Sequence, residues 1–116
     1  AGLNAAMMLA RMRRSVLVID AGTPRNAPAE GVHGLLARDG MPPGELLARG
    51  RAEVVSYGGR GVDGGGGAAT RAGTGFTVRL ADGRSMRARR LLGTSGLGDE
   101  CRRSTACASA GGAMCC

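Results

Sequence analysis

The stretch Gly2-Leu-Asn-Ala-Ala-Met-Met-Leu-Ala-Arg-Met-Arg-Arg-Ser-Val-Leu-Val-Ile-Asp20 decides the fold. Leu3, Ala6, Met7 and Ala10 recur at helical spacing, so residues 2–14 are expected to form a helix with one buried stripe. Gly2, Ala5 and Ala6 are small enough to let that helix approach a sheet. Arg11, Arg13 and Arg14 gather at its C-terminal end, where cations suit the helix dipole. Ser15–Ile19 is a short apolar run of the kind found in parallel strands covered on both faces. Asp20 closes the run. Helix, tight connection, buried strand and terminal acid together read as the second half of a dinucleotide-binding βαβ unit, with Gly2 as the third glycine of G-x-G-x-x-G. The first strand and the first two glycines of that fingerprint are expected upstream of Ala1. The reading is therefore of a segment that begins inside its own fingerprint.

Outward from this unit, Ala21–Asn26 is a turn holding Gly22 and Pro24. Asn26–Asp39 is an irregular loop carrying the single histidine, His33. Pro42–Ser56 reads as a helix, with Pro42 and Pro43 suited to its first turn and Leu46, Leu47, Val54 and Tyr57 on an apolar side. Residues 60–96 read as β. Phe76–Leu80 alternates, Ala81-Asp82-Gly83-Arg84 is a hairpin turn, and Met86–Leu92 returns. The partner strand is expected between Arg60 and Arg71, damaged by the four glycines Gly64–Gly67. The fold class is α/β: an incomplete Rossmann-like domain, its βαβ unit lacking the first strand, followed by a β-meander.

The candidate chemistry is that of a cofactor site. Asp20 lies 18 residues after Gly2, the place of an acid whose carboxylate accepts hydrogen bonds from the adenosine ribose hydroxyls; a turn cap is the structural alternative. Arg25 could set a guanidinium near the cofactor's phosphates or be a solvated loop residue. No nucleophile–base pair, C-x-x-C, G-x-S-x-G or H-E-x-x-H is present, so no catalytic residue and no metal ligand is assigned.

Composition narrows the partners. The net charge is +7 and every one of the 16 basic residues is arginine, while Phe and Tyr each occur once among 22 glycines. This pattern reads as GC-rich coding. The arginines are scattered and lack interleaved aromatics for base stacking, so no nucleic-acid partner is expected. No apolar run is long enough to span a bilayer and no secretory leader pattern is visible. A cytoplasmic location is expected.

The segments A-G-L-N-A-A-x-x-L-A-R-x-R-R-S-V-L-V-I-D-A-G-x-P-R-N, G-V-H-G-L-L-x-R-D-G and P-x-E-L-L-x-x-G-R resemble thioredoxin reductase-like FAD-dependent oxidoreductases of the pyridine nucleotide-disulfide oxidoreductase superfamily. The resemblance covers residues 1–100, taken as a partial FAD-binding domain, and is specific in the first 50. It implies FAD in the first βαβ unit, contacted by Gly2, Asp20, Arg25 and His33, with Gly93-Thr94-Ser95-Gly96 at the family's Ala-Thr-Gly turn. It further implies NAD(P)H as reductant, a small-molecule or protein thiol/disulfide substrate, and a homodimeric parent. The family's redox cysteine pair is expected beyond Cys116. Within enzymes, a flavin monooxygenase or an NAD-linked dehydrogenase is the alternative; a nonfunctional truncated gene product is another. Alone, the chain is expected to be inactive.

Cys101, Cys107, Cys115 and Cys116 all fall in the last 16 residues, and their spacing does not suit zinc. Back-translated with GC-rich codons and shifted by one base, residues 101–116 yield a continuation similar to the family's pattern. The tail is therefore read as out of frame. Gly61, several of Gly64–Gly67, Gly93 and Gly98 stand where strands would favour valine, one base change away.

Overall fold

The computed structural model describes residues 1–94. Its elements are α1 (Gly2–Arg11), β1 (Leu17–Asp20), α2 (Pro43–Ser56), β2 (Arg60–Asp63), β3 (Gly66–Ala72), β4 (Gly75–Leu80) and β5 (Ser85–Ala88). The chain divides into two units, the first reaching Asp63 and the second running from Gly64. The fold is α/β and Rossmann-like, with a β-meander.

In the first unit β1 and β2 are parallel neighbours, paired Leu17 with Arg60, Val18 with Gly61, Ile19 with Val62 and Asp20 with Asp63. A parallel pair needs a crossover, and α2 supplies it. The Arg60 N–H donates to the Val16 carbonyl at 3.0 Å, extending the ladder by one rung. Among the described residues no other strand pairs with β1, and Leu17, Val18 and Ile19 stay half-buried. Ala6 and Ala10 of α1 and Val54 of α2 are buried. A Cβ on Gly50 would come 3.3 Å from Leu3 Cδ1, so this glycine keeps α1 and α2 close.

Both helices end in the same hydrogen-bond pattern. At α2, the Gly59 N–H donates to Val54 O at 2.9 Å and the Gly58 N–H to Val55 O at 2.8 Å, with Gly58 at φ 85°. This is the Schellman arrangement with glycine in the left-handed position. At α1, Arg14 donates to Leu9 O at 3.0 Å and Arg13 to Ala10 O at 2.9 Å, but here the left-handed residue, at φ 59°, is Arg13.

That geometry corrects the expected helix over residues 2–14. The helix stops at Arg11 because the chain reverses through Arg13 rather than continuing. The strand shifts correspondingly, from the expected Ser15–Ile19 to Leu17–Asp20. Tyr57, expected on the apolar side of the second helix, is 49% exposed. It follows the last helical residue, and the Arg11 guanidinium sits 5.5 Å from its ring centroid, a cation–π contact that leaves the ring at the surface.

The second unit is the antiparallel meander β3-β4-β5. Val78 and Leu80 of the central strand are buried on one face, and Met86 of β5 lies opposite Val78. The expected single partner strand between Arg60 and Arg71 is two strands with different partners. Arg60–Asp63 joins β1 in parallel, and Gly66–Ala72 joins β4. The glycine run falls at the break between them. Gly64 adopts φ 156°, and the register slips between Gly66 and Ala68, leaving Gly67 as the extra residue of a bulge. The Asp82-Gly83 turn forms as expected, with Gly83 at φ 88° and its N–H donating to Leu80 O at 3.1 Å. The return strand ends at Ala88 rather than Leu92, and Leu92 is 63% exposed. The tail from Cys101 lies outside the described residues, as do Ser95, Gly96 and Gly98.

Candidate functional site

The parallel pair places two acids side by side. Asp20 and Asp63 are register partners at the C-terminal ends of β1 and β2, the end of an α/β sheet where ligands bind. The chain turns immediately after Asp20. Gly22 takes φ 74°, and its N–H donates to Asp20 Oδ1 at 2.9 Å. The other carboxylate oxygen is met from α2: Arg51 Nη2 donates to Asp20 Oδ2 at 2.5 Å. The Asp20 side chain keeps 32% of its surface exposed and Arg51 42%, so the pair is reachable from solvent.

The Arg51 guanidinium holds the Asp20 carboxyl below the usual carboxylate range. The Gly22 N–H adds to this, and partial burial opposes it. The same contact strengthens the proton hold of Arg51, and the charge of Asp63 contributes in that direction. A deprotonated carboxylate at a strand end is an acceptor-only group, suited to hydroxyl donors.

Gly2 is the first residue of α1. No side chain caps this helix and its first turn holds no acid. Uncapped first-turn N–H groups and the helix dipole favour an anion there. Arg25 is exposed and makes no hydrogen bond or ion pair to the described residues. His33 is also exposed, with Nδ1 lying 3.4 Å from Asp39 Oδ2, while Asp39 Oδ1 accepts the Gly34 N–H at 2.9 Å. Val32, beside His33, bridges Met41 and so ties the loop across its base. Of the four sequence-predicted residues, Asp20 and Gly2 thus sit at element ends, and Arg25 and His33 on the loop after β1.

Two residues at the site escaped the reading of the sequence. Arg51 closes the segment P-x-E-L-L-x-x-G-R, but only the crossover brings it back to Asp20, 31 positions earlier. Asp63 ends a strand much as Asp20 does, yet the preceding Arg60-Gly61 lacks the apolar run that would have marked it. Among the described residues, no group of three or more His, Cys, Asp or Glu is placed to hold a metal ion. No described helix is long and apolar enough to cross a membrane.

An acid-ended parallel strand with a helix crossover is shared by many nucleotide enzymes, and comparison with known proteins narrows the field. No family model matches the chain. A protein of Arthroderma benhamiae named as a thioredoxin reductase is 38% identical over 56 residues, 48% of this chain and 14% of its own length. Among solved structures, HlmI matches 77% of the chain at 48% identity with a TM-score of 0.74, over 29% of its own length. TrxB of Bacillus anthracis, named as a thioredoxin reductase, matches 78% at 32% identity with a TM-score of 0.74, over 31% of its length.

Over this span the chain is similar to proteins named as thioredoxin reductases.

The chain spans less than a third of the length of each of these relatives. The likeness agrees with the Rossmann-like reading of α1, β1, α2 and β2.

Proposed function

We propose that this chain is the FAD-binding segment of a flavin-dependent oxidoreductase that moves electrons between a nicotinamide cofactor, FAD and a thiol/disulfide substrate. The observation that carries the reading is the Asp20 carboxylate, ionised, partly exposed and fixed at the end of a parallel strand. The residues present suit the adenosine end of such a cofactor. Asp20 accepts ribose hydroxyls, and the uncapped start of α1 at Gly2 receives phosphate charge. Arg25 and His33, both exposed on the loop after β1, supply a guanidinium for phosphate and an imidazole for the cofactor. FAD, when bound, supplies the exchange of electrons between nicotinamide and thiol.

The described residues contain no cysteine. Their contribution is therefore to bind and orient the cofactor, and thiol exchange falls to other residues. Within this proposal residues 1–100 belong to the FAD-binding domain, the whole enzyme is a cytoplasmic homodimer, and its substrate is a small-molecule or protein disulfide. Titration of the chain with FAD, followed by chemical shifts of backbone amides, tests the reading. Asp20→Ala should weaken binding by on the order of 1.5–3 kcal/mol, the value of a hydrogen bond to a charged group. Unchanged affinity, or shifts that spare Asp20–Gly22 and the first turn of α1, would contradict it.

A further inference from the structure

We infer that Arg51 is a positioning residue for cofactor binding: from α2 it fixes the Asp20 carboxylate so that the lone pairs left over are presented to a ribose in one orientation. This rests on the reading of Asp20 as the ribose acceptor.

Asp20 is gripped at both oxygens by different elements. The turn after β1 provides the Gly22 N–H to Oδ1 at 2.9 Å, and α2 provides Arg51 Nη2 to Oδ2 at 2.5 Å. Two such contacts remove the rotation of the carboxylate about its own stem. A carboxylate has about four acceptor positions. Two are used within the protein, leaving two for the two hydroxyls of a ribose diol. An acceptor already held in place loses little freedom when the ligand arrives, which is how preorganisation raises affinity.

Charge supports the same role. Asp63 stands beside Asp20 across the β1–β2 register, and Arg51 feels both acids. Without Arg51, the two acids on adjacent strand ends lose the cation that both of them act on, and a carboxylate that loses such a partner is more readily protonated. A protonated Asp20 is a poorer acceptor for hydroxyls. Arg51 therefore acts through Asp20 and does not need to touch the cofactor. Arg49, two residues earlier in α2, pairs instead with Glu45 at 2.6 Å, so the role belongs to Arg51.

The test uses the 116-residue chain with FAD as the probe. Affinity is read from amide shift titrations at pH 7 and pH 5, and the Asp20 titration from its carboxyl carbon resonance without ligand. The variants are Arg51→Ala, Arg51→Gln, Arg51→Lys, Asp20→Asn and the Asp20→Asn/Arg51→Ala pair. Arg51→Ala and Arg51→Gln should each weaken FAD about three- to tenfold at pH 7, the range for a part-exposed charge pair, and more at pH 5. Arg51→Lys should restore most of the affinity, and Asp20 should titrate at higher pH in the alanine variant. In the Asp20→Asn background, Arg51→Ala should cost little more, since the two act as one unit.

Should Arg51→Ala disturb the amide spectrum as a whole, the glutamine and lysine variants retain the aliphatic stem and decide the matter. The inference is overturned if Asp20→Asn weakens FAD while no Arg51 variant does. It is also overturned if Arg51→Ala costs as much in the asparagine background as alone. If Asp20→Asn leaves affinity unchanged, or the chain shows no shifts with FAD, the reading of Asp20 itself fails and this inference with it.

Discussion

Asp20 shows how one residue can serve the fold and the site together. Its carboxyl is a stronger acid in the folded chain than in the unfolded one, because Arg51 and the Gly22 N–H favour the charged form. The contribution of the pair to stability is therefore complete above the unfolded value, near pH 4. It is lost as pH falls through the lower folded value. Solvent reaches both partners, so the contribution is small, about 0.5–1 kcal/mol at neutral pH. Thermal melts of wild type and Asp20→Asn should differ at pH 7 and converge as the pH falls below the lowered folded value of Asp20. A gap of constant size across that range would show that Asp20 makes no ionic contribution.

Helix ends carry the next set of consequences. The Schellman turn of α2 uses Gly58 in its left-handed position, whereas that of α1 uses Arg13. A side chain there costs about 1 kcal/mol relative to glycine. Arg13→Gly should accordingly stabilise the first unit by about 0.5 kcal/mol at most after the greater freedom of the unfolded glycine is counted. The check is the denaturant midpoint. In β2, Gly61 lies opposite Val18, and an added Cβ would meet nothing within 4 Å. Gly61→Val supplies β-propensity in open space and should stabilise by roughly 0.5–1 kcal/mol. Gly59 behaves in the opposite way, since its Cβ would lie 2.5 Å from Val54 Cγ1 and 2.9 Å from the Val54 carbonyl oxygen. Gly59→Val should destabilise by about 1–3 kcal/mol through overpacking. Placing the wrong sign on either valine substitution would refute this account of the β2 edge.

At the scale of the whole molecule the net charge of +7 invites a nucleic-acid interpretation, and the distribution of arginines argues against it. Several are engaged locally: Arg49 with Glu45, Arg51 with Asp20 and Arg84 with Asp82, and Arg11 over Tyr57. No row of aromatic side chains accompanies them. Fluorescence anisotropy at physiological salt should show no saturable binding of duplex DNA below the micromolar range, leaving only weak salt-sensitive attraction. Tight, salt-resistant binding would reverse that assignment.

Much of the architecture was legible because it is written in short-range patterns. The helical stripe Leu3, Ala6, Met7, Ala10, the apolar run into Asp20, the prolines opening α2 and the Asp82-Gly83 turn each act over a few residues, where periodicity and backbone preference dominate. The α/β class and the position of Asp20 followed from them. What sequence order could not decide was pairing. Whether Arg60–Asp63 lies beside β1 or beside β4 depends on which hydrogen-bond ladder closes after the crossover, a choice made by α2 packing over the sheet. The same crossover brings Arg51 onto Asp20 and sets Asp63 at its side. The end of α1 was also settled in three dimensions: the chain reverses through a left-handed Arg13 because β1 must run back beside β2, and that requirement outweighs the local preference to continue the helix.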